Sequence, residues 1–108
     1  MLLRVIPIGE KCMTTEYKCV TTIEGIQEYI SNSSLVAFDF ETAPDDAFRK
    51  EDKAALDPAK AHIVGCSFSI KEGTGIYVPV DHRCGTNVDK KAFFTFLTAF
   101  LMNLSITK

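Results

Sequence analysis

The sequence predicts an α/β domain, and three observations carry that expectation. Stretches rich in β-compatible residues, Leu35–Glu41, His62–Ile70 and Gly75–Val80, alternate with two stretches of helical apolar spacing, Ile23–Ile30 and Phe93–Leu104. A strand therefore stands beside an antiparallel hairpin, with helices flanking both, rather than in a string of βαβ units. Composition agrees: 108 residues that are 46% hydrophobic and 24% charged fit one globular domain and exclude disordered, collagen-like and low-complexity chains.

Residues 1–15 mix apolar side chains with Pro7, Gly9 and Thr14-Thr15, and read as a flexible extension to a domain spanning 16–108. Lys18–Val20 fits a short edge strand. Thr22 fits a helix N-cap, followed by Ile23, Ile26, Tyr29 and Ile30 on one helical face. Gly25 weakens this helix by about 1 kcal/mol relative to Ala, and Asn32-Ser33-Ser34 end it. The apolar run Leu35–Phe40 reads as a strand covered on both faces and central in its sheet. Pro44, Asp45-Asp46, Pro58 and dense charge make 43–59 a surface loop with a helical turn around Lys50–Leu56.

The hairpin follows, turning at Lys71–Thr74 with Gly73 free to take positive φ. Pro79 gives no N–H to a ladder, so the second hairpin strand lies at an edge or ends there. Asp89 or Asn87 caps the last helix, which runs to about Asn103. Phe93, Phe96, Leu97, Phe100, Leu101 and Leu104 form its stripe, widened by Phe94 and Met102. So apolar a helix needs cover on more than one side, and self-association through it is expected.

Twelve Lys and Arg against fourteen Asp and Glu give a net charge of -2, which excludes a strongly basic nucleic-acid-binding arm. Any nucleic-acid contact must come from a local site or a partner domain. Cys12, Cys19, Cys66 and Cys84 show no C-x-x-C spacing, and His62 and His82 complete no zinc pattern. With no signal peptide legible at Met1–Gly9, the four read as reduced thiols of a cytoplasmic protein. Ala92–Leu104 is shorter than the roughly 20 residues a bilayer-spanning helix needs, so no membrane partner is expected.

The candidate chemistry lies at Asp39-Phe40-Glu41. Side chains alternate along a strand, so Asp39 and Glu41 share one face, with Ala37, while Phe38 and Phe40 share the other. Two carboxylates roughly 6–7 Å apart along a strand repel. A divalent cation relieves that repulsion, and hard Mg²⁺ or Mn²⁺ prefers such oxygen ligands. D-x-E spacing alone fits equally a pair of solvated acids at a strand end.

Three segments taken together carry a resemblance. Val36-Ala37-Phe38-Asp39-Phe40-Glu41-Thr42, His62-Ile63-Val64-Gly65-Cys66-Ser67-Phe68-Ser69 and Gly75-Ile76-Tyr77-Val78-Pro79-Val80-Asp81-His82, in that order, resemble the 3'-5' exonuclease domain of family A DNA polymerases, the DNA polymerase I type. The likeness covers about residues 17–104. It implies an RNase H-like fold of the DEDD exonuclease group, proofreading hydrolysis at a single-stranded DNA 3' end, and a polymerase domain in the full-length protein. It also implies that Asp39 and Glu41 ligate the catalytic Mg²⁺ or Mn²⁺, and that Thr42 lies beside the 3'-terminal nucleotide with its backbone and hydroxyl available to the sugar.

Two departures accompany the resemblance. Where the family places a leucine three residues beyond the threonine, this chain has Asp45, unless Ala47 or Phe48 serves instead. The second and third exonuclease motifs are expected after the last helix, and the residues up to Lys108 hold neither. Two-metal hydrolysis uses cations about 3.5–4 Å apart, and two of the family's four carboxylates are present. The expectation is thus a portion of an exonuclease domain, inactive by itself. The alternatives are a non-catalytic scaffold or interaction module, and a nuclease whose remaining ligands come from a second subunit.

Other polar residues carry no firm role. His62 heads a strand and reads as structural. His82 follows the third strand and can lie near the site but has no role in the resemblance. Arg83 and Lys90-Lys91 fit a solvated helix start, with a phosphate contact as the alternative. Ser67 and Ser69 lack a nucleophile-elbow context, and Gly73-Thr74-Gly75 sits in a hairpin rather than before a helix.

Overall fold

The computed structural model describes residues 2–5 and 15–108. Its elements are β1 (Leu2–Val5), β2 (Thr15–Cys19), α1 (Ile23–Ile30), β3 (Ala37–Pro44), β4 (Ala61–Ser69), β5 (Thr74–Pro79) and α2 (Lys90–Met102). The strands form one mixed sheet in the order β1-β2-β5-β4-β3. Only β2 and β5 run parallel; the other neighbours are antiparallel. This is an α/β domain.

Both helices pack on one face of the sheet. Ile26 and Ile30 of α1 and Phe93, Leu97 and Phe100 of α2 join Cys66, Phe68, Ile76 and Val78 in one core. The alternation of β3 explains the choice of face: the Phe38 ring meets Phe100 edge-on at 5.7 Å, and the neighbouring Phe40 packs against the same core. The opposite face carries Ala37, Asp39, Glu41, Ser67 and Tyr77, with neither α1 nor α2 packed on it. The loop after β3 forms two 3-10 turns, Asp46–Phe48 and Ala54–Leu56, the second of which packs against β3 and β4.

The expected caps form. Thr22 accepts the N–H of Gly25 at 3.0 Å, and Asp89, not Asn87, caps α2 by accepting from Ala92 at 2.9 Å. Gly25 proves to be a packing requirement, because a Cβ there would stand 2.6 Å from a Val20 methyl. Asn32 takes positive φ (64°) just past α1, where asparagine is among the better tolerated residues. Tyr29 then ties α1 to the hairpin through Thr74 Oγ1 at 2.9 Å and the N–H of Ile70 at 3.1 Å. Gly73 turns the hairpin with φ 81°.

Several expectations need correction. β3 is not central: it is the last strand of the sheet and pairs with β4 alone among the described residues. Its run of apolar letters buries one face only, through Phe38 and Phe40, while Ala37 is exposed and Leu35, just before the strand, is 61% exposed. β2 is not an edge strand but lies between β1 and β5. The presumed extension contributes β1, whose Leu2 and Val5 pair with Lys18 and Thr15; residues 6–14 lie outside the described ones. Of the two alternatives for Pro79 the second holds: β5 is interior, and it ends at Pro79.

Beyond α2 the chain returns to the start of β3. Thr107 accepts from Val36 at 2.8 Å and donates to Ser34 at 2.7 Å, forming a parallel bridge with Leu35. Phe93, Leu97 and Phe100 bury the inner side of α2, whereas Phe94 and Leu101 remain 37% and 43% exposed. No helix among the described residues is long and apolar enough to cross a membrane. Cys19, Cys66 and Cys84 are free thiols, and Cys12 lies outside the described residues.

Candidate functional site

The sheet face away from α1 and α2 gathers the sequence-selected acids. Asp39 pairs in register with Ser67 and Glu41 with Gly65, so the two carboxylates project from the same face with small residues beside them. Both are exposed, and neither takes part in an ion pair among the described residues. Directly after Glu41 the register shifts: Thr42 pairs with Ile63, leaving Val64 as an extra residue on β4. The carbonyl of Val64 accepts from both Val80 and Asp81, at 2.9 and 3.0 Å, and this anchors the chain leaving β5.

A shallow groove of about 600 Å³ runs across this face, lined by Tyr17, Ala37, Asp39, Ser67, Gly75 and Tyr77 among others. Glycine opens it, since a Cβ on Gly75 would stand 3.1 Å from the Tyr17 ring. Gly65 lies beneath Tyr77, and a Cβ there would overlap the Tyr77 hydroxyl. That hydroxyl donates to Glu41 Oε2 at 3.2 Å and lies 2.6 Å from His82 Nε2. Burial, reinforced by the Glu41 charge, pushes the Tyr77 phenol up to about 12.

Cys66, on the opposite face of β4, is fully buried; burial, with the Asp39 charge adding to it, pushes its thiol up to about 12. It is therefore no nucleophile at neutral pH.

The remaining sequence-selected residues fall into place less simply. Thr42 does not present its hydroxyl to the groove; it donates to the carbonyl of Ala55 at 2.6 Å, pinning the loop after β3. Asp45 pairs with His62 Nδ1 at 2.8 Å, and Asp81 Oδ2 lies 3.8 Å from His62 Nε2. Phe48 carries the Lys60 ammonium over its ring at 5.5 Å. Arg83 bonds Asp46 at 3.2 Å, and Lys90 bonds Asp81 at 3.0 Å, which holds the Asp81 carboxyl below its ordinary range. These are solvent-facing pairs of small energetic weight.

Sequence reasoning missed Tyr77 and assigned His82 nothing. The signal was Gly65 in a strand interior, which marks a close approach by a neighbour. No group of three or more His, Cys, Asp and Glu able to hold a metal ion occurs among the described residues. Asp39 and Glu41 are hard oxygen donors on one exposed face, and suit part of a Mg²⁺ or Mn²⁺ shell rather than a whole one.

No protein-family model matches the chain, and no curated protein matches it.

Proposed function

We propose that this chain is part of a 3'-5' exonuclease domain of the DNA polymerase I type, with an RNase H-like fold. Asp39 and Glu41 supply two carboxylate ligands to its divalent-metal site. The observation that carries this reading is their placement side by side on the face of β3 away from α1 and α2, free of basic partners among the described residues and next to an open groove. The ordered resemblance of the three strand segments supports it.

In this reading the substrate is the 3' end of single-stranded DNA, and a polymerase domain belongs to the full-length protein. Bound Mg²⁺ or Mn²⁺ would supply Lewis-acid stabilisation of charge on the scissile phosphate. The chain's own residues gather the negative charge that holds the cation and leave the groove open to a strand end. With two of four carboxylates, this chain by itself is inactive. The Thr42 hydroxyl pins the loop through Ala55, leaving its backbone for the sugar.

A second reading, a non-catalytic exonuclease-like scaffold, is favoured by one observation: the Thr42 hydroxyl is committed to Ala55.

Incubation with 3'-labelled single-stranded DNA and Mg²⁺ or Mn²⁺ tests the proposal. No digestion is expected from the chain alone. Digestion lost in Asp39→Ala would show that the site is complete, overturning the inactivity. Digestion retained in Asp39→Ala would remove the chemistry from these acids altogether.

A further inference from the structure

We propose that Tyr77 and His82 form a relay that positions Glu41 for cation binding, with Gly65 making room for it. The inference rests on the reading of Asp39 and Glu41 as metal ligands and adds residues to which that reading assigns nothing.

In the relay the Tyr77 hydroxyl donates to Glu41 Oε2 across 3.2 Å. The Tyr77 oxygen accepts from His82 Nε2, 2.6 Å away, in the His82 tautomer that carries its proton on Nε2. The His82 ring also meets the Tyr77 ring edge-on at 5.6 Å.

His82 is itself anchored. Its backbone N–H donates to Asn87 Oδ1 at 2.8 Å, and its carbonyl accepts from Asn87 Nδ2 at 3.0 Å. The helix-capping reading of Asn87 is thereby replaced by a clamp on the loop that follows β5. Tyr77 alone touches Glu41, at Oε2, with His82 and Asn87 acting through it, which leaves Oε1 of Glu41 for a cation. Outer partners of this kind fix the orientation of a ligating side chain.

The test is Mn²⁺ binding to the full chain, followed by paramagnetic broadening of amide signals, in wild type, Glu41→Gln, Tyr77→Phe, His82→Ala and His82→Gln. Tyr77→Phe and His82→Ala should each weaken Mn²⁺ binding by about tenfold, with the amide spectrum otherwise unchanged. His82→Gln keeps an N–H donor and should recover much of the loss. A merely structural role for His82 would not distinguish Gln from Ala. If Glu41→Gln weakens binding but Tyr77→Phe does not, the positioning role is overturned while the metal reading stands. If Glu41→Gln leaves Mn²⁺ binding unchanged, the metal reading fails and the relay with it.

Discussion

Tyr77 lies across Gly65: the phenol occupies the space that any Cβ at position 65 would need, and from there its hydroxyl reaches Glu41 at 3.2 Å. A glycine in the interior of β4 thus governs the surroundings of a carboxylate on β3 by way of a ring on β5. Gly65→Ala should displace that ring and destabilise the domain by about 1–3 kcal/mol, the usual cost of overpacking. Urea unfolding measures it. Combining Gly65→Ala with Tyr77→Ala should restore most of the loss, and an equal loss in the double variant would contradict the account.

Alkaline stability carries the signature of two groups. Tyr77 and Cys66 have folded-state values near 12, above their ordinary values near 10 and 9. Over these windows the folded chain holds more protons than the unfolded one, so stability is full below pH 9 and falls as pH rises to about 12. Unfolding midpoints measured across that range should show the decline. Tyr77→Phe should flatten its part between pH 10 and 12, and an unchanged slope would contradict the assignment.

The two sides of α2 should answer differently to truncation. Phe93 is fully buried, so Phe93→Ala should cost about 3–5 kcal/mol. In a domain stabilised by about 5–15 kcal/mol that is a large share. Phe94, 37% exposed, should cost far less when replaced. Thermal unfolding of the pair checks the orientation of the helix.

The outer side of α2, with Phe94, Leu101 and Met102 exposed, should drive concentration-dependent self-association. Solution scattering should give a mass above that of a monomer for the wild type, and Phe94→Glu with Leu101→Glu should return it to the monomer. A monodisperse wild-type monomer at high concentration would contradict this.

Much of the fold was legible because local chemistry decided it. Thr22 and Asp89 cap helices as their residue types dictate, Gly73 turns the hairpin, and helical spacing marked the buried side of α2. Strand order was not legible. Leu35–Phe40 reads as apolar whether it lies mid-sheet or at an edge, because Phe38 and Phe40 need only one covered face. β1 was missed for a similar reason: strands this short draw their stability from a partner rather than from their own pattern.

At the site, alternation placed Asp39 and Glu41 on one face without any knowledge of the sheet. Tyr77, His82 and Asn87 could not be assigned from local pattern, since their roles depend on cross-strand register and on a loop folding back. The Thr42 hydroxyl bond to Ala55 was not legible either, since it depends on where the loop after β3 folds back.

The most direct measurement is an Mn²⁺ titration of the isotope-labelled chain, mapped by loss of amide signals. The account predicts broadening centred on residues 38–42 and on Gly65–Ser67, and its disappearance in Asp39→Asn/Glu41→Gln. Broadening centred instead on Asp45, Asp46 and Asp81, or surviving in the double variant, would contradict it.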